Sequence, residues 1–164
     1  MALKLYNTMG RNLQDFVPID EKCVGFYGCG PTVYNYAHIG NLRAYVFLDV
    51  LDRTLTFLGY NKKHVMNITD VGHLESDADE GEDKMEKAAR KEKKDPYEIA
   101  NFYTEIFLKD MEKLNIDKPD IITKATENIS QMIEYVKEII KNGYAYETSK
   151  GIYFDISKLD KYPV

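Results

Sequence analysis

Tryptophan is absent from this chain, and histidine, proline and cysteine are scarce: three, five and two among 164 residues. Two cysteines, Cys23 and Cys29, make no disulfide framework, and the five residues between them are not the spacing of a zinc knuckle. A reducing compartment is therefore the default, and a cytoplasmic location the expectation. No window approaches the ~18 apolar residues of a membrane span. The opening Met-Ala-Leu-Lys-Leu-Tyr lacks the apolar core of a signal peptide. Neither G-x-G-x-x-G nor a Walker A pattern occurs, which disfavours dinucleotide and P-loop readings. Basic charge is not in excess: 22 Lys and Arg stand against 27 Asp and Glu, for a net charge of −5. That argues against a protein that coats nucleic acid, while leaving room for an RNA held mostly by other domains. No internal repeat or low-complexity linker breaks the chain. Hydrophobic residues make up 44%, enough for a core in one domain or one and a half.

The stretch from Val24 to Asn41 organises the rest. Val24 to Gly28 is apolar and β-prone and predicts the first core strand. A loop with Gly28, Gly30 and Pro31 follows, and at His38 a long helical pattern begins. Ile39, Leu42, Val46, Phe47, Val50, Leu51, Leu55, Phe57 and Leu58 predict a helix over 39–58 with a broad apolar face. Gly59 closes it at the C′ position. Lys62 to Asn67 predicts a second strand. Strand, helix, strand within this distance is a βαβ unit, hence a parallel pair. Thr69 and Asp70 then fall beside the first loop, at the edge where open α/β sheets bind ligands. That loop brings a thiol (Cys29), an imidazole (His38) and an amide (Asn41) to a helix N-terminus, whose free N–H groups suit phosphate.

Elsewhere the signals are structural. Leu3, Leu5 and Tyr6 predict a short strand, and 12–18 a loop or short helix. Residues 75–83 hold six acids, but counting from Asp77 the EF-hand positions for Gly and Glu hold Glu82 and Ala88, so a solvated loop is expected. The basic run from Lys84 to Lys94 predicts a charged helix. Asp95-Pro96-Tyr97-Glu98 is a helix start, continued by Ile99, Phe102, Tyr103, Ile106, Phe107 and Met111. Residues 115–123 read as a turn through Pro119, Thr126 as the opening of another helix ended by Gly143, and 144–147 with 151–155 as a hairpin. The chain stops at Tyr162-Pro163-Val164 with no closing element, which suggests a fragment.

Cys29-Gly30-Pro31-Thr32-Val33-Tyr34 followed by His38-Ile39-Gly40-Asn41 closely resembles the cysteinyl-tRNA synthetases, a family of class I aminoacyl-tRNA synthetases. His38 to Asn41 matches the HIGH signature, with Asn for the last His. Asn67-Ile68-Thr69-Asp70, Tyr6-Asn7-Thr8 and Leu114-Asn115-Ile116 also look like this family. The resemblance implies an α/β chain: the first half of a class I synthetase Rossmann-like nucleotide-binding domain over 1–120, then the start of an inserted connective domain over 121–164. It implies an enzyme, a cysteine–tRNA ligase, with cysteine, ATP and tRNA(Cys) as partners, no membrane, and this segment alone inactive.

The resemblance also implies roles. His38 and Asn41 are the catalytic donors. Gly30, His38, Gly40 and Asn41 bind ATP, which arrives with Mg2+. Cys29, Gly30 and Thr69 form the cysteine pocket, with Tyr27, Thr32 and Tyr34 in its walls. Cys29 is one ligand of a single Zn2+ per subunit, the others lying beyond residue 164. Zinc prefers a thiolate to a hydroxyl oxygen, which explains rejection of serine without editing. The plain readings remain beside these: Cys29 as a small apolar loop residue, His38 and Asn41 as local helix caps, Thr69 as a strand-end cap. Lys84-Met85-Glu86-Lys87 imitates the class I lysine loop in the wrong half of the fold and receives no role; His64 and His73 are read as structural. Competing functions are a mycothiol-pathway ligase joining cysteine to an amino-sugar, a HIGH-type nucleotidyltransferase in which Cys29 has no task, and a non-catalytic nucleotide-binding module.

Overall fold

A computed structural model describes residues 3–72, 90 and 95–159. The acidic run 75–83, the lysines of the basic run, Lys84-Met85-Glu86-Lys87, His73 and residues 162–164 lie outside the described residues. The chain forms two compact units, one comprising Met1 and Val17–Glu127, the other Ala2–Phe16 and Asn128–Val164.

The second unit opens with β1 (Lys4–Asn7) and β2 (Asn12–Asp15), an antiparallel hairpin in which Leu5 faces Gln14. β2 occupies the start of the stretch read as a loop or short helix. Its residues, Asn-Leu-Gln-Asp, carry little β-propensity, and pairing with β1 overrides that.

The first unit holds β3 (Val24–Gly28), α1 (Ile39–Phe57), β4 (Lys62–Ile68), α2 (Pro96–Lys113) and β5 (Ile121–Lys124). β3, β4 and β5 form a parallel sheet in that order. The expected βαβ unit is therefore present, with Gly28 opposite Met66. Gly59 ends α1 with φ +83°, the left-handed conformation that favours glycine at C′. Asp95 caps α2 by accepting from the Tyr97 N–H at 2.8 Å, ahead of Pro96 in the first turn. The core collects Val33, Tyr45, Met66, Ile68, Ile99, Tyr103, Phe107, Met111 and Ile116. Each large apolar side chain contributes roughly 1.5–3 kcal/mol of burial.

Two features of the first unit differ from the sequence reading. β5 is a third parallel strand where a turn was expected, pairing Val65 with Ile121 and Ile68 with Lys124. Its four residues are too few to show a period. Asp120 fixes its start, accepting from the His64 N–H at 2.7 Å and Lys62 Nζ at 3.0 Å. Secondly, α1 does not bury its most apolar stripe. Ile39, Val46, Phe47, Val50 and Phe57 are exposed, whereas Tyr45, Asp49, Asp52 and Leu55 are buried. The aspartates are tolerated there because both are matched. Asp49 accepts from Arg53 Nε and from the Asp117 N–H, each at 2.8 Å. Asp52 lies 3.0 Å from Lys62 Nζ and 3.3 Å from His64 Nδ1.

α3 (Ile129–Lys141) follows a 3₁₀ turn over Thr126–Asn128, later than the expected opening at Thr126. The Thr126 N–H and hydroxyl go instead to Asp70, at 2.9 and 2.6 Å. Gly143 leaves α3 with φ +78°. β6 (Ala145–Thr148) and β7 (Gly151–Phe154) then form the expected antiparallel hairpin.

His64 is 3% exposed and stacks on Phe26, ring centroids 4.2 Å apart. Burial lowers its pKa below the ordinary 6.5, and the neighbouring Asp52 only partly offsets this. The unfolded chain therefore takes up this proton first as pH falls. The associated stability is complete well above pH 6.5 and is lost on acidification from there toward the folded-state pKa. The unfolding midpoint should fall between pH 7.5 and 5.5, with a slope of at most about 1.4 kcal/mol per pH unit, and His64→Gln should flatten the profile in that window. A wild-type midpoint that is constant across this range in circular-dichroism melts would contradict the assignment.

Candidate functional site

The candidate site lies where β3 and β4 end. Their ladder is interrupted at Cys29 and Gly30 and resumes as a parallel bridge between Thr32 and Thr69. The Thr69 N–H donates to the Pro31 carbonyl at 2.9 Å, and the Val33 N–H to the Thr69 carbonyl at 3.2 Å. Within the interruption the Gly30 N–H donates to Asn67 Oδ1 at 2.8 Å. A Cβ on Gly30 would overlap the backbone carbonyl of Asn67. Glycine is thus required by backbone-to-backbone approach, and the loop lies flat against β4.

Cys29 is exposed at this break, with its sulfur 4.0 Å from the Gly30 carbonyl oxygen. Two phenols sense it. The pKa of Tyr27 is raised by burial and by the charge on Cys29. Tyr45 is pushed up to about 12 by the same causes, burial first. Cys23 precedes β3, at its opposite end. Among the described residues no three His, Cys, Asp or Glu side chains cluster as a metal site. The one feature here that suits zinc is a single accessible thiol, chemically apt as one ligand of a larger set.

His38 and Asn41 form a reciprocal cap on α1. His38 Nδ1 accepts from the N–H groups of Gly40 at 3.1 Å and Asn41 at 3.4 Å, and Asn41 Oδ1 accepts from the His38 N–H at 3.1 Å. An imidazole nitrogen that accepts is unprotonated, so Nε2 carries the hydrogen. The Asn41 amide nitrogen is likewise left over. Both donors are without a partner among the described residues. The space above Gly40 is taken by the His38 ring, since a Cβ there would lie 2.9 Å from His38 Cε1.

A cavity of about 270 Å³ opens at this helix end, bounded by residues 30–38, Asn41, Tyr45, Tyr103 and Phe107. Gly30, His38 and Asn41 share its wall; Cys29, Gly40 and Thr69 do not line it. Thr32 and Tyr34 do, whereas Tyr27 does not. A larger cavity of about 590 Å³, between Glu105 and Lys118, holds none of the expected site residues. Two residues of the site were not singled out from sequence. Tyr45 is 5% exposed and lines the cavity, and its hydroxyl has no partner among the described residues, so it is a donor open to the cavity. Asn67 ties the loop to β4 by accepting from Gly30 and from the Tyr27 hydroxyl at 2.7 Å, and it donates to Thr69 Oγ1 at 3.0 Å. Asn67 stood in the sequence reading only as part of the family-like block Asn67-Ile68-Thr69-Asp70, with no role of its own.

The family described as tRNA synthetases class I (C) catalytic domain matches residues 15–164. The chain belongs to this family. Its resemblance to cysteinyl-tRNA synthetases, read from residues 29–34 and 38–41, is borne out by curated relatives. It is 57% identical to a cysteine–tRNA ligase of Treponema denticola over 99% of this chain and 33% of that protein. It is 52% identical to cysteine–tRNA ligase 1 of Burkholderia lata over 99% of this chain and 34% of that protein. The chain thus spans about a third of the length of the curated relatives it matches. Among solved structures, LeuRS in a ternary complex from Agrobacterium radiobacter K84 aligns with TM-score 0.57 and 23% identity, over 74% of this chain and 15% of that one. A putative arginyl-tRNA synthetase from Campylobacter jejuni aligns with TM-score 0.55 and 15% identity, over 84% and 38%. Both likenesses are of fold alone.

The glycines of this class I segment are unequal. Gly30→Ala forces the loop off β4 and is expected to destabilise by about 1–3 kcal/mol. Gly25→Ala, with nothing within 4 Å of the new methyl, should change stability by less than about 0.5 kcal/mol. Denaturant unfolding of the two variants measures the contrast, and equal midpoints would show that the Gly30 approach is not required.

Proposed function

We propose that this segment is the amino-terminal part of a cysteine–tRNA ligase and supplies one side of its cysteine- and ATP-binding site. The observation that carries the reading is the His38–Asn41 cap. Each side chain spends its acceptor on α1 and keeps an outward donor at the helix N-terminus. Such a site suits phosphate, through these two outward side-chain donors and the helix dipole. The two plain readings, local cap and ligand donor, therefore fall to different atoms of the same residues.

The chemistry follows in two steps. A carboxylate oxygen of cysteine attacks the α-phosphorus of magnesium-bound ATP, a bond forms there, and pyrophosphate leaves. Charge gathers on the phosphate oxygens, where His38 Nε2–H and the Asn41 amide donate most strongly in the transition state. A terminal ribose hydroxyl of tRNA(Cys) then attacks the activated carbonyl, and AMP departs. Cys29, Gly30 and Thr69 form the cysteine side, and the break in the ladder leaves Cys29 outward. Cys29 would hold zinc as one of its ligands, and zinc when bound supplies a soft partner for the substrate sulfur. The nucleotide-binding half, expected over 1–120, takes in β5 on this reading because that strand pairs with β4, and the connective insertion, expected over 121–164, follows it. Location follows activity: a ligase of this kind works where tRNA and ATP are, in the cytoplasm. No helix of the described residues is long and apolar enough to cross a membrane.

The test uses a protein of the relatives' full length carrying this segment. His38→Ala and Asn41→Ala should each slow cysteine-dependent ATP–pyrophosphate exchange about 100- to 1,000-fold, with a smaller effect on the KM for cysteine. His38→Ala also removes the cap, worth about 0.5–2 kcal/mol. His38→Ser keeps a capping oxygen and lacks the outward donor, so it should retain stability yet lose rate. Full rate in His38→Ser would remove the proposed role.

The thiol is tested separately. Cys29→Ser should strip most bound zinc, read by elemental analysis, and abolish cysteine activation, whereas Cys23→Ser should leave both nearly intact. Zinc and activity that both survive Cys29→Ser would reject the ligand assignment.

A further inference from the structure

The Asn67 amide has one permitted orientation. The backbone N–H of Gly30 can only donate, so the atom facing it at 2.8 Å is Oδ1. The Tyr27 hydroxyl donates to the same oxygen at 2.7 Å. Nδ2 is thereby turned to Thr69, whose Oγ1 accepts at 3.0 Å. A hydroxyl rotates freely between donor and acceptor duty when its partners allow it. Here the partner is an N–H with nothing to accept, so the single hydroxyl proton of Thr69 must be donated elsewhere. No described residue takes it.

We propose that Asn67 is a positioning residue that fixes the Thr69 hydroxyl as a hydrogen-bond donor toward the acceptor end of the bound amino acid, its carboxylate rather than its ammonium group. The inference rests on the reading of Thr69 as part of the cysteine pocket and goes beyond it. An ammonium group at the same point would set donor against donor, so the polarity of one hydroxyl orients the substrate. Its origin lies in the glycine amide on the far side of Asn67. The chain Gly30 N–H, Asn67 Oδ1, Asn67 Nδ2–H, Thr69 Oγ1 runs in one sense only.

Asn67→Asp is the discriminating change. A carboxylate keeps both acceptor bonds, to Gly30 and Tyr27, but has no N–H for Thr69. The Thr69 hydroxyl then turns to donate to the carboxylate and is lost to the substrate. In the full-length ligase the KM for cysteine in pyrophosphate exchange should rise roughly tenfold, with kcat and the KM for ATP within about twofold. Thr69→Val should raise the cysteine KM by a similar factor. Since both changes break one bond, the double variant should be no worse than the weaker-binding single. Multiplied effects, about a hundredfold, would mean that the new charge repels substrate independently of Thr69, and would overturn the proposal. So would a wild-type cysteine KM in Asn67→Asp while the parent enzyme is active. A parent enzyme with no cysteine-dependent exchange would overturn the functional reading itself, and this inference with it. If Asn67→Asp does not fold, Thr69→Val decides alone, and an unchanged cysteine KM in it refutes the donor.

Discussion

The ligand edge depends on the approach of Gly30 to the backbone of Asn67. With no Cβ, the loop can leave the β3 ladder over residues 29–31, press against β4, and rejoin at Thr32. That detour turns Cys29 outward and leaves an amide, Gly30 N–H, with no ladder partner. Asn67 takes the amide, and in doing so becomes oriented itself. The return at Thr32 delivers the chain to His38 at the helix start. A side chain at position 30 would disturb Cys29, the Asn67 network and the entry to α1 together. Few single atoms in the chain have consequences for so many polar groups.

A second economy appears at α1. Four N–H groups at a helix start lack internal partners, and capping is the usual remedy. His38 and Asn41 make that remedy with the atoms that face inward, and each side chain is bifunctional. Stability of the helix end and a pair of outward donors are then one arrangement. This is why His-Ile-Gly-Asn is informative in a sequence. Gly40 must be small because the ring folds over it, and the fourth residue must both accept and donate.

These local rules made much of the segment legible. β3, α1 and β4 were marked by β-branched runs, helical period and Gly59; α2 was marked by Asp95 and Pro96. The family was legible from two short motifs. What escaped depended on partners distant in sequence. β5 exists because Asp120 and the free edge of β4 recruit it, and four residues carry no period of their own. The buried face of α1 was misjudged for a related reason. Periodicity counted apolar side chains, whereas Asp49 and Asp52 turn inward to meet Asp117, Lys62 and His64. Tyr45 and Asn67 took no role from sequence because their chemistry is defined by what surrounds them, a cavity wall for one phenol and a glycine amide for one carboxamide.

The parallel sheet separates these tasks along its strands. Near its amino-terminal ends, Lys62, Asp120, Asp52 and the pair Asp49–Arg53 satisfy one another, and the Asn115 carbonyl and Asp117 add further bonds to Arg53. Only the Asp49 and Asp52 carboxylates of this group are buried, and a buried carboxylate that loses its partner is costly even where the pair adds little net stability over apolar packing. These contacts fix register, since sliding β4 by one residue would carry Lys62 and His64 away from Asp52. At the carboxyl ends the opposite holds: His38 Nε2, the Asn41 amide, the Tyr45 hydroxyl, the Thr69 hydroxyl and the Cys29 thiol all retain unspent valence. Parallel strands make this polarity possible, because every strand presents the same end to the same side. The register fixed at one end by charge is therefore what holds Asn67 opposite Gly30 at the other, and the donors remain aimed without being consumed.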